Sequence, residues 1–155
     1  LAQLPPPAHL VVVGRDRHAP RYERLARRLG IAARVSFAGP QADPKPYYGA
    51  ADVFVLPTLY DALSNAVLEA LACGLPVITS DRCGAGELVA AHDAGAVVGA
   101  RDVAALAAAM GRLAGDPERR ATVGAHARSA VAALTPDAMA ARLVALYDAL
   151  LAGRE

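Results

Sequence analysis

The stretch from Asp52 to Thr79 constrains the fold of this chain more than any other, because it reads as strand, loop, helix, stop and strand in one short run. The run Asp52 to Leu56 is bounded by Pro57, as a buried strand should be. Ser64 offers a hydroxyl to an orphan backbone N–H of a first helical turn. Gly74 suits the position just past the helix end, where a left-handed backbone is easy only without a Cβ. Pro76 blocks continuation, and Val77-Ile78 opens a second buried strand.

Two carboxylates sit in this unit, Asp61 in the loop and Glu69 on the expected helix. If Asn65 to Cys73 is helical, Asn65 and Glu69 share a face, while Val67, Leu68 and Leu71 face the sheet. The helix start then offers free N–H groups and a positive dipole end beyond a parallel strand, which is a ready phosphate site. Two accounts of the carboxylates fit. In one, Asp61 caps the helix and Glu69 is solvated, as charged residues mostly are. In the other, both face a ligand at the helix start.

The rest of the chain repeats the alternation. His9 to Val13, Arg34 to Ala38, Asp52 to Leu56, Pro76 to Thr79 and Ala96 to Val98 read as strands. Tyr22, Leu25, Ala26 and Leu29 mark a helix stopped by Gly30. A polar segment with Pro44 and Pro46 leads into Tyr47, Tyr48 and Ala50. Gly84-Ala85-Gly86-Glu87 opens a short helix, where Gly84 and Gly86 make either a loop over a ligand or a tight turn. Asp102, Asp116-Pro117 and Thr135-Pro136-Asp137 start three more helices. The first of these carries Val103, Leu106, Ala107 and Met110, and the last Met139, Leu143, Leu146, Tyr147 and Leu150. Leu1 to Pro7 reads as a helix tail and loop. The pattern is an α/β doubly wound domain with a mostly parallel sheet.

Composition excludes several classes. The 155 residues make one domain, 1–155, with a sizeable core, and the net charge of +1 argues against nucleic acid as a partner. Cys73 and Cys83 form no metal-type pair, the four His are scattered, and Cys73 reads as a small core residue. The Arg-rich helix with Arg21, Arg24, Arg27 and Arg28 reads as a solvated face. No apolar run of about 18 residues and no signal peptide is evident, so the expectation is a chain with no membrane span in a reducing cytoplasm. No Gly-x-Gly-x-x-Gly follows the first strand, which counts against a dinucleotide-dependent oxidoreductase.

Asp61, then Glu69 eight residues on, then Ala70, Ala72, Gly74, Pro76 and Val77 resemble the donor-site motif of retaining group 1 glycosyltransferases with the two-domain GT-B fold. That family usually has Glu where Asp61 stands, and Phe-Gly where Leu63-Ser64 stands. Val11-Val12-Val13-Gly14, Val35-Ser36-Phe37-Ala38-Gly39, Ala51 to Pro57 and Gly84 to Val89 are similar to successive strand ends of its C-terminal half. Gly14-Arg15-Asp16 through Leu29-Gly30 looks most like bacterial hexosyltransferases of lipopolysaccharide cores and surface polysaccharides.

The resemblance implies retaining transfer of a hexose from a nucleotide-diphosphate sugar to a glycan or lipid-linked acceptor. This chain would supply the Rossmann-like donor-binding half. In the family that half begins with a central strand and a loop bearing an Arg and a Lys that grip the diphosphate. That strand, and an N-terminal acceptor domain, are expected in a longer protein, and the 155 residues alone are expected to transfer no sugar. Backbone amides at Ser64, Asn65 and Ala66 would stabilise the leaving diphosphate. Glu69 would accept the ribose hydroxyls and Asp61 a sugar hydroxyl. Gly14 and Gly39 would let backbone approach the nucleotide. No metal or other cofactor is expected. Peripheral contact with the cytoplasmic face of the inner membrane, through the rest of the protein, fits the same family. The alternatives are a nucleotide-sugar epimerase of the same fold and a non-catalytic nucleotide-binding module.

Overall fold

The computed structural model describes residues 1–5 and 7–153; Pro6, within the expected opening loop, and Arg154 and Glu155 lie outside the described residues. Five strands alternate with helices: β1 Leu10–Val13, α1 Ala19–Arg28, β2 Val35–Gly39, α2 Lys45–Ala50, β3 Phe54–Leu56, α3 Asn65–Ala72, β4 Val77–Ser80, α4 Gly86–Ala91 and β5 Gly95–Val98. Three helices follow: α5 Val103–Gly115, α6 Pro117–Val131 and α7 Pro136–Ala152. Every strand pairing is parallel, in two groups, β1-β2 and β3-β4-β5. The resemblance places a further strand between β1 and β3, and among the described residues these two strands do not pair.

Strand β4 lies at the centre of its group and is buried on both faces, as the continuous run Val77-Ile78-Thr79-Ser80 demands. Val77 joins Val67, Ala70 and Leu71 of α3, Val89 of α4 and Ala127 of α6. Ile78, on the opposite face, joins Ala109 and Leu113 of α5. Helices thus cover both faces, which is the doubly wound arrangement.

Local signals set most element ends. Gly74 has φ +78°, a backbone that favours glycine, and stops α3. The side chains of Asp102, Asp116 and Thr135 accept from Ala105 N, Arg119 N and Ala138 N at 2.9, 2.9 and 3.2 Å. The segment with Pro44 and Pro46 is not merely a polar connector but forms α2, with a proline tolerated in its first turn.

Two expectations are corrected, the core place of Cys73 and the lack of an apolar run of membrane length, and burial on the last helices is now defined. Cys73 is exposed, because it is the residue at which α3 ends. On α5 the buried residues are Ala109 and Leu113, and Val103 is exposed. Helix α7 buries none of its residues, so its recurring Met139, Leu143, Leu146, Tyr147 and Leu150 face solvent. The stretch Pro117–Ala152 contains an 18-residue window of mean hydropathy 1.3, 6% of it buried, which by length and composition is enough to cross a membrane. The sequence reading found no such run because occasional charges interrupt the alanines and leucines. The helix is interrupted between Val131 and Pro136, leaving two separate helices there.

Helix α6 approaches α3 closely because its contact face is small. Gly124 lies under the Gly74 carbonyl, which a Cβ at residue 124 would strike. Helix propensity alone makes Gly124→Ala stabilising by about 1 kcal/mol. Overpacking against backbone reverses the sign, so the substitution is expected to destabilise by about 1 to 3 kcal/mol. Urea denaturation of the full-length protein reads the sign directly; a raised midpoint would show that the two helices can part without cost.

Candidate functional site

The sequence-predicted residues all sit at or beyond the carboxyl ends of parallel strands, where open α/β sheets bind ligands. Gly14 follows β1, Gly39 ends β2, and the loop with Asp61 follows β3. That loop is tied down by the strand beside it. Thr79 Oγ1 donates to Leu56 O at 3.0 Å and Ser80 Oγ to Thr58 O at 2.6 Å. Both residues are fully buried, so their hydroxyls must find protein acceptors, and the loop backbone supplies them. Thr58 Oγ1 in turn donates to Tyr60 O at 3.1 Å.

Asp61 is clamped through its backbone. Its N–H donates to Arg82 O at 3.0 Å, and its carbonyl accepts from Gly84 N at 2.9 Å, in an isolated parallel bridge with Cys83. Gly84 permits this approach, because a Cβ there would strike the Ala62 carbonyl. The loops after β3 and β4 are therefore one unit. Gly86 lies in the first turn of α4, so of the two glycines Gly84 joins the loops and Gly86 opens a helix. The Asp61 carboxylate is partly buried, and among the described residues it forms no ion pair and caps no helix amide.

The start of α3 is more open than the sequence suggests. Ser64 occupies the cap position, but its hydroxyl makes no capping bond. Its carbonyl instead accepts from Val67 N at 3.1 Å and Leu68 N at 3.2 Å. Among the described residues the N–H groups of Ser64, Asn65 and Ala66 therefore have no protein acceptor. They crown a helix whose inner face, Val67, Ala70 and Leu71, is locked into the core. The arrangement offers fixed donors and a positive dipole end to an anion.

Glu69 is exposed, on the face that also carries Asn65. It is not simply solvated, since Tyr48 Oη donates to its Oε2 at 2.9 Å. Burial, and then the hydrogen bond to Glu69, push the Tyr48 phenol well above its ordinary range. In the sequence Tyr48 stands out only as part of the run Tyr47, Tyr48 and Ala50 after the two prolines, with no role in a site. Nothing in the tyrosine pair Tyr47-Tyr48 signals which ring turns toward α3.

Gly14 and Gly39 form a second cluster. Gly14 N donates to Gly39 O at 2.9 Å, and both have positive φ, +134° and +67°. With Val12, Arg15, Tyr22 and Phe37 they line a cleft of about 160 Å³. A Cβ placed on either glycine would meet nothing within 4 Å, so that side of their backbone faces open space. Arg15 is exposed and borders that cleft.

This is a doubly wound domain in which the open start of α3 lies between a loop carboxylate, Asp61, and a carboxylate on the helix itself, Glu69. The sequence profile of the family described as "Glycosyl transferases group 1" matches residues 1–116. The GDP-mannose-dependent alpha-(1-6)-phosphatidylinositol monomannoside mannosyltransferase of Mycolicibacterium smegmatis is 36% identical over 132 residues, which cover 79% of this chain and 35% of that protein. Sucrose-phosphate synthase from Thermosynechococcus elongatus superposes with TM-score 0.84 at 35% identity, over 98% of this chain and 40% of that one. Alr3699/HepE of Anabaena in complex with UDP-glucose superposes with TM-score 0.77 at 26% identity, over 84% of this chain and 38% of that one. The chain belongs to the group 1 glycosyltransferases, and its fold is the Rossmann-like half of a GT-B enzyme. It spans about a third of the length of the curated relatives it matches, 35% and 34% for two of them.

Proposed function

We propose that this chain binds the nucleotide-sugar donor in a retaining hexosyltransferase whose acceptor is a glycan or a lipid-linked group. The reading rests on one observation: three backbone amides without protein partners at the start of α3, flanked by Asp61 and Glu69. A departing nucleoside diphosphate gains negative charge, and donors already fixed in place stabilise it without reorganising. Ser64, Asn65 and Ala66 supply those donors, so the chain's share of diphosphate stabilisation needs no metal. Glu69 lies more than a helical turn beyond and accepts the ribose hydroxyls. Asp61 lies ahead of the helix and takes a hydroxyl of the sugar. The positive-φ backbone at Gly14 and Gly39 leaves room for the nucleotide beside them. The relatives support a nucleotide-sugar donor, one being named GDP-mannose-dependent and another having been solved with UDP-glucose.

Calorimetry with UDP and GDP on the full-length protein tests this. Glu69→Ala removes a charged hydrogen-bond acceptor, typically about 1.5 to 3 kcal/mol. Affinity for the nucleotide that binds is expected to fall roughly 10- to 150-fold. Unchanged affinity would make Glu69 a surface helix residue, and failure to bind any nucleoside diphosphate, ADP and dTDP included, would remove the donor reading altogether.

A further inference from the structure

We propose that Tyr48 is a positioning residue for Glu69, its hydroxyl holding one carboxylate oxygen so that the other is presented to the ribose diol of the donor. The proposal rests on the reading of Glu69 given above, and it assigns the tyrosine a part in nucleotide recognition that no local sequence signal carries.

The geometry has two halves. The tyrosine ring is anchored. It packs against the core cluster built from α3, β4 and α4, and lies tilted on Phe54 of β3 with centroids 5.9 Å apart at 55°. Its hydroxyl reaches the side of α3, at the turn that carries Ala66 and Glu69. There it lies 2.9 Å from Glu69 Oε2 and 3.5 Å from the Ala66 carbonyl. A phenol carries one proton, and the shorter, charge-assisted contact takes it.

Glu69, by contrast, is an exposed side chain with three free torsions, and ordering it costs entropy. A donor diol that binds a wandering carboxylate meets that cost at the moment of binding. One that binds a carboxylate already held by Tyr48 does not. A tyrosine hydroxyl is protonated at neutral and mildly alkaline pH, and burial and the Glu69 contact push its pKa higher still, so it remains a donor there. The oxygen it engages is Oε2, which leaves Oε1 free of protein partners among the described residues.

Tyr48→Phe keeps the ring packing and removes only the hydroxyl. The test compares UDP and GDP with their 2′,3′-dideoxy counterparts by calorimetry, on full-length wild type, Tyr48→Phe, Glu69→Ala and the double variant. Wild type is expected to prefer the ribonucleotide. Glu69→Ala should lose that preference, and Tyr48→Phe should reduce it about fivefold. The double variant should be no worse than Glu69→Ala alone, because Tyr48 acts through Glu69. A Tyr48→Phe protein that melts lower yet keeps the wild-type preference, while Glu69→Ala loses it, overturns the positioning role and leaves the reading of Glu69 standing. If Glu69→Ala keeps the preference, both fall.

Discussion

Asp61→Ala in the full-length enzyme is expected to lower kcat about 100-fold, while nucleoside diphosphate affinity stays within about twofold of wild type. The expectation follows from how the residue is held. Its backbone is fixed at both ends, to Arg82 O and from Gly84 N, so the side chain has a defined origin. Its carboxylate engages no cation and no helix amide among the described residues, and so remains available to a ligand. It precedes the unpartnered amides of Ser64 to Ala66, and Glu69 follows them, so in the proposed donor site the two acids would reach opposite ends of one donor. An interaction that strengthens as positive charge builds on the sugar ring appears in kcat more than in KM. Asp61→Asn keeps the size and loses the charge, and should resemble Asp61→Ala. Asp61→Glu restores the residue usual in the family and should be tolerated best. Steady-state kinetics of the three variants decide the matter. Nucleotide affinity falling as sharply in Asp61→Asn as in Glu69→Ala would refute the division of labour.

The second large effect is expected at Gly84, a residue outside the proposed donor contacts. An added Cβ would strike the Ala62 carbonyl, so the loops after β3 and β4 must part. Parting them breaks the two hydrogen bonds that hold Asp61. Gly84→Ala is therefore expected to cost about 1 to 3 kcal/mol of stability and to lower kcat at least tenfold, since a misplacement of about 1 Å suffices for such losses. Gly86→Ala is the control. Its Cβ would meet Ser80 O at 3.4 Å and side-chain methyls at 3.5 and 3.6 Å, ordinary contacts, and it lies in a helix. It should keep both stability and activity. Equal damage from the two substitutions would mean that general crowding, and not the clamp on Asp61, sets the result.

The fold was legible wherever a signal acts over a few residues. Pro57, Gly74 and Pro76 mark strand and helix ends because proline and glycine restrict or free the local backbone. Asp102, Asp116 and Thr135 mark helix starts because a short oxygen-bearing side chain reaches an amide three residues on. The same rule misjudged Ser64. Its type and place are right for a side-chain cap, yet the structure uses only its carbonyl. The apolar spacing of α7 correctly marks a helix but carries no information on whether anything covers it.

What the sequence determined by itself was the series of parallel strands and crossover helices, and with it the edge to which Gly14, Gly39, Asp61, Asn65 and Glu69 belong. These depend on periodicity, caps and breakers, each set by near neighbours in the chain. Tertiary structure alone decided how those residues are held. Tyr48 meets Glu69 across 21 positions, Ser80 meets Thr58 across 22, and Asp61 is clamped by Arg82 and Gly84. Such contacts depend on the β3–β4 register and on the packing of α3, and both are outcomes of burying Val67, Leu71 and Val77 together. Burial is non-directional and pools residues from all along the chain, so its result cannot be read from any one window of it.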